Sequence, residues 1–140
     1  MEYEIVDHPA DIGFRVFADN IENAFEKAGM ALFSLMLSSY EEGDITKVPM
    51  EIRSEDIESL LYDYLEHLLV MFEVDDIIAT AIHLTLDRDG ERFILKGDVS
   101  GFKAVPLAFK RRYDVKAITY HMMEIRDTGD GWMIQVIVDI

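Results

Sequence analysis

The residues of this 140-residue chain best suited to chemistry lie towards its two ends. Asp7-His8-Pro9-Ala10-Asp11-Ile12-Gly13 sets two carboxylates and an imidazole before an alternating apolar segment. At the other end Asp139 precedes Ile140, whose α-carboxylate adds a second anionic group beside it. An ordered cluster of carboxylates is self-repelling unless a cation or a basic side chain joins it, and hard oxygen donors select Ca²⁺, Mg²⁺ or Mn²⁺. The plainer reading of the opening motif is a turn in which Asp7 or His8 caps local backbone groups. For any one pair of carboxylates in so acidic a chain, solvated surface charge is the default.

A second feature has the opposite sign. Lys103, Lys110, Arg111, Arg112 and Lys116 are five of the 13 basic residues, and only Asp114 opposes them within that stretch. Phe102, Phe109 and Tyr113 are interleaved with them, a pattern compatible with RNA contact by charge and stacking. An exposed loop that balances nearby acids explains it more simply. Lys116 begins an alternating run with Ile118 and Tyr120, which predicts a partly buried face where an ammonium needs an anionic partner.

Other chemistries are excluded by what is missing. With no cysteine there is no disulfide scaffold, zinc–thiolate site, iron–sulfur cluster or thiol nucleophile. Nucleophile elbows, phosphate-binding glycine loops, zinc-protease helices and EF-hand loops are all absent from the sequence. His8, His67, His83 and His121 are scattered without metal-ligand spacing, and His67 falls at the margin of a helical stripe, where packing or capping is expected. A formal charge of −15 repels a phosphate backbone and favours a basic partner or a cation. No basic leader precedes an apolar segment, and no apolar run reaches the ~18 residues of a membrane span, so a soluble, cytoplasmic protein without membrane contact is expected.

The elements that must position these residues follow from periodicity. Ile12, Phe14, Val16 and Ala18 alternate with Asp11, Gly13, Arg15 and Phe17, which predicts a half-buried strand with Asp11 on its outer face. Asp19 or Asn20 then caps a helix with apolar residues at Ile21, Ala24, Phe25, Ala28, Leu32, Leu35 and Met36, ending near residues 38–43. Residues 48–53 read as a short strand that Pro49 confines to an edge or a start. Ser54 is the expected N-cap of a second helix, whose stripe runs Ile57, Leu60, Leu61, Tyr64, Leu65, Leu68, Leu69 and Phe72. Residues 77–86 and 91–99 form a hairpin across Asp87-Arg88-Asp89-Gly90, residues 101–114 are irregular, and 115–126 pairs with 132–139. The expected fold is a single compact α+β domain over 1–140, with two amphipathic helices packed on a mostly antiparallel β-sheet.

DHPADIG (7–13), LLYDYLEHLL (60–69), VKAITYH (115–121) and the closing VDI (138–140) together resemble the archease family in order, spacing and total length. The resemblance implies an α+β protein without chemistry of its own that activates an RtcB-type RNA ligase in tRNA splicing. It would promote guanylylation of the ligase's histidine, with GTP and divalent metal, and allow multiple turnover. RNA is then met only indirectly, through the ligase. The resemblance also implies a divalent-cation site, typically calcium, at Asp11, Asp139 and Ile140, with Lys116 as a further functional residue nearby. Pro9 stands where the family usually has threonine, and Gly101-Phe102-Lys103 stands where it often has a Gly-Glu pair. Two other readings compete: an RNA-binding modulator or chaperone acting through residues 103–116, and a metal-dependent hydrolase using Asp11, Asp139 and His121.

Overall fold

The computed structural model describes residues 3–7 and 10–140, the side chains of Val6 and Asp7 excepted. In chain order the elements are β1 (Tyr3–Asp7), β2 (Asp11–Ala18), α1 (Ile21–Met36), β3 (Leu37–Tyr40), β4 (Thr46–Ser54), α2 (Ile57–Glu73), β5 (Ile77–Asp89), β6 (Arg92–Lys103), β7 (Phe109–Arg111), β8 (Ala117–Ile118), β9 (Glu124–Asp127) and β10 (Trp132–Asp139). Strands β1, β2 and β10 lie side by side in that order, with β8 and β9 both on the far edge of β10. A second sheet has the order β4-β6-β5, and β3 pairs with β7 as a ribbon. Every pairing among these strands is antiparallel. The chain is thus α+β, with two helices on antiparallel sheets, as the periodicities predict.

Helix α1 touches β2 and β10 on one side and β5 on another, while α2 packs on β4, β5, β6, β8 and β9. The inward residues of β2 (Ile12, Phe14, Val16) and of β10 (Ile134, Val136, Val138) are fully buried against α1. One hydrophobic core joins the sheets and both helices. At its centre the buried Tyr64 hydroxyl donates to the Phe25 carbonyl at 2.9 Å. Gly29 is required there, because a Cβ would run into that hydroxyl, Ile82 and Leu68.

Several boundaries differ from the sequence expectation. The Asp56 carboxylate caps α2 by accepting from the Ser59 N–H at 2.7 Å, whereas Ser54 ends β4 and meets Ser59 through its hydroxyl. A carboxylate at that position gains from the helix dipole as well as from the hydrogen bond. Helix α1, capped by Asn20, stops at Met36 and passes straight into β3, which finds its partner in the segment expected to be irregular. Residues 115–126 do not form one strand. Met122 takes φ 54°, breaking the run into β8 and β9. Pro49 does lie on an edge strand, where its missing N–H costs no ladder bond.

Two outcomes test this packing. Burial raises the Tyr64 pKa well above tyrosine's ordinary value of 10.0, so the folded state holds the proton more tightly than the unfolded chain. This contribution to stability is fully present below about pH 10 and is lost as pH rises past the unfolded value towards the folded one. Melting temperature against pH should fall more steeply above pH ~10 for the wild type than for Tyr64→Phe. A Cβ at Gly13 would collide with the Val136 carbonyl and the Ile137 side chain on β10. Gly13→Ala should therefore cost about 1–3 kcal/mol in urea unfolding, and an unchanged midpoint would contradict so close a strand approach.

Candidate functional site

The register of β2 with β10 sets Asp139 directly opposite Asp11, in the last pair of the ladder. Because Ile12 and Val138 point into the core, strand alternation turns Asp11 and Asp139 to the same outward face. Residues so paired hold their Cβ atoms about 5 Å apart, and like charges there repel. Asp11 is half-buried and Asp139 exposed. A third segment closes the group: the Lys116 N–H donates to the Asp139 carbonyl at 2.8 Å, and Ala117 is the register partner of Asp139 on β8. The Ile140 N–H reaches the Ala10 carbonyl at 3.4 Å, drawing that residue to the same edge.

Of the residues singled out from sequence, the structure therefore brings together Asp11, Asp139, Ile140 and Lys116. Lys116 differs from expectation in one respect: its side chain is exposed, because it lies just before the two-residue strand β8 and not inside a long one. It stands at the groove between α2 and residues 115–118. Asp7 pairs in register with Ile12 on the neighbouring strand, which places its backbone beside this edge. The Asp7 side chain and all of His8 lie outside the described residues. His121 sits in the turn after β8, its N–H bonded to Thr119 Oγ1, and Thr119 bonds the Ile137 carbonyl. Among the described residues no three His, Asp or Glu side chains are grouped as a metal would require, so Asp11, Asp139 and His121 do not form a hydrolytic triad. Any cation here draws on the two aspartates with backbone oxygens, an all-oxygen donor set that suits a hard ion.

The outer face beside the carboxylates is held by a residue that sequence reasoning missed. Gln135, only 4% exposed, accepts from Arg15 Nε and Nη2 at 3.0 and 2.6 Å and donates to the Met122 carbonyl at 2.8 Å. Arg15 also pairs with Glu4 at 2.8 Å. This network pins the 119–123 turn over β10 and so fixes where the segment carrying Lys116 can run. Its signal was a lone glutamine within the apolar WMIQVIV, since a polar group in such a run is buried only with its partners supplied.

The basic stretch is less available than its composition suggests. Arg111 is bound by Glu73 through two hydrogen bonds of 2.9 and 3.3 Å and lies over the Phe72 ring at 5.0 Å. Arg112 donates to the Ser34 carbonyl at 3.4 Å. Phe102 is buried, and Phe109 packs edge-on to Phe72. The aromatic faces of Phe102 and Phe109 are thus used inside the fold, leaving Lys103, Lys110 and Lys116 as exposed charges. His67 is exposed as well, not packed at the stripe's margin.

Comparison with known proteins identifies the family of the chain. Residues 3–140 match the model of the Archease protein family. The chain is 35% identical over 140 residues to protein archease of Pyrococcus furiosus, covering 99% of each. It is 34% identical to that of Methanosarcina mazei, covering 99% of this chain and 96% of the relative. The solution structure of protein 1598 of Methanobacterium thermoautotrophicum superposes with a TM-score of 0.82 at 34% identity, over 99% of this chain and 98% of that one. Among the described residues no helix is long and apolar enough to cross a membrane. With fold, sequence and nearly the whole length in agreement, the chain belongs to the archease family.

Proposed function

We propose that this archease is a protein cofactor of an RtcB-type RNA ligase, acting in the cytoplasm in tRNA splicing without catalysing a reaction itself. The observation that carries the reading is the Asp11–Asp139 cross-strand pair, two carboxylates facing one way at the end of the β2–β10 ladder, with Asp11 half-buried and Asp139 exposed. Such an edge encloses no substrate, whereas enzymes bury theirs in concave sites. It is well placed to be presented to another protein.

In this reading Asp11, Asp139 and Ile140 hold a divalent cation, calcium by family resemblance and magnesium or manganese by the same donor chemistry. The cation supplies charge neutralisation, which makes so dense a set of oxygens tolerable on a surface meant for docking. The chain's own part is to fix those oxygens through the β2–β10 ladder and to hold Lys116 beside them, its ammonium within range of a ligase carboxylate or a nucleotide phosphate. The net charge of −15 steers the protein towards a basic rim around the ligase active site. Guanylylation of the ligase histidine then accelerates through positioning and electrostatics, with no new covalent step.

Two experiments test the proposal. In multiple-turnover RNA ligation with GTP and Mn²⁺ or Mg²⁺, substoichiometric wild-type protein should stimulate the ligase, and Asp11→Ala or Asp139→Ala should abolish stimulation. Stimulation by both variants equal to wild type, at matched concentration, would remove the carboxylates from the mechanism; a competent ligase indifferent to the wild type would remove the partner. Calcium added after chelation should raise the melting temperature, because an ion at ~100 times its Kd adds about 2.7 kcal/mol to a fold that alone binds it. Asp139→Ala should lose that response while its metal-free stability stays level or rises, since one of two opposed charges is gone.

A further inference from the structure

The loop between β6 and β7 makes a tight turn over Val105-Pro106-Leu107-Ala108, closed by the Ala108 N–H donating to the Val105 carbonyl at 2.9 Å. Proline fixes φ near −65° at the second position and Leu107 has φ 78° at the third, which makes the turn type II. That third position favours glycine or asparagine, because a larger side chain crowds its own backbone there. Leu107 holds this strained conformation with its side chain 103% exposed, so packing within the fold does not offset the strain. Strain of this kind persists only where the surroundings impose it, and it gathers at functional positions.

The surroundings impose it from both sides. The Ala104 N–H donates to the Asp76 carbonyl just beyond α2 at 2.6 Å, and the Ala108 carbonyl accepts from the Glu41 N–H just beyond β3 at 2.7 Å. The turn is a braced prong. Beside its tip Val105 is 60% exposed, and Tyr40, which lines one hollow with Leu107, is 42% exposed. Lys103 and Lys110 flank these side chains together with Glu41 and Asp76, all four exposed. An apolar centre within a polar rim of both signs is the anatomy of a protein–protein contact. The acids on that rim disfavour a nucleic-acid backbone or an anionic bilayer.

The prong stands at the same end of the molecule as the two aspartates. The short turn after β2 sends α1 back along that strand, so α1 finishes where β2 begins. There the Tyr113 N–H bonds the Leu35 carbonyl in the last turn of α1, and three residues later the Lys116 N–H bonds the Asp139 carbonyl. From Leu107 to Lys116 is no more than about 32 Å of extended chain, the breadth of one interface of ~800 Å² per partner. We infer that the turn over residues 105–108 is a docking prong whose Leu107 enters an apolar socket on the ligase; this rests on the function proposed above.

Leu107→Gly and Leu107→Asn separate folding from docking. Both replacements accept positive φ, so both relieve the strain, and the melting temperature should hold or rise. Binding of the full chain to immobilised RtcB-type ligase should weaken about tenfold for each, because the apolar side chain that fills the socket is gone. Asparagine serves as the control for glycine's added flexibility. Variants that bind as tightly as a stimulating wild type would overturn the prong and leave the proposed function standing. A wild type that neither binds nor stimulates the ligase would overturn both. A lowered melting temperature in both variants would assign Leu107 to the fold and overturn the inference. So would a wild-type dimer that Leu107→Asn converts to monomer in sedimentation, or flotation with phosphatidylcholine vesicles that the variant loses, since the tip would then serve a second copy or a lipid surface.

Discussion

Eight register pairs join β2 to β10, from Trp132 opposite Ala18 to Asp139 opposite Asp11, and the other layers depend on this pairing. Its inner face supplies Ile12, Phe14, Val16, Ile134, Val136 and Val138 to the wall against which α1 lies. Its outer edge gives β8 and β9 their only ladder partner among the described residues. Strand alternation ties the two roles together. Once the apolar set is committed to the core, Asp11 and Asp139 must share the opposite face, because a one-residue slip would invert both strands. The repulsion between the two carboxylates is small beside the burial of those six side chains, each contributing on the order of 1.5–3 kcal/mol. Core packing thus decides that the two aspartates share one face.

The surface divides accordingly. Acids gather at the end of α2 and at the end of the β2–β10 ladder, while Arg15 and Arg111 are tied to internal partners. These arginines do structural work: one fixes a turn through Gln135, and the other anchors residues 109–111 to α2 through Glu73. A chain with few cations spends them on positioning, and what it offers a partner is mostly negative.

Much of the architecture was legible in the sequence because each element carries a strong local period. The alternation over 11–18 and the 3.6-residue stripes of both helices have their counterparts in β2, α1 and α2. Non-local facts were not legible. Nothing in residues 109–111 announces β3 as their partner, since that pairing is set by where α1 ends. The alternation over 115–126 resembles a continuous strand, and the left-handed turn at Met122 that interrupts it is held by Gln135 from another strand. For the same reason Lys116 was expected on a half-buried face and is exposed. Of the site, the sequence displayed two separate acidic ends and the family resemblance joined them. The register that sets Asp11 against Asp139 belongs to the assembled sheet.

That register also has a bearing on folding. Strand β10 lies between β2 and β8, so the last strand of the chain fills an interior position of its sheet. Until it pairs, β2 has one edge open and the apolar face of α1 lacks Ile134, Val136 and Val138. An open edge of this kind invites pairing with other chains, and contacts spanning more than a hundred residues form slowly. The closing of β10 into this position completes the core and sets Asp139 against Asp11 in one event.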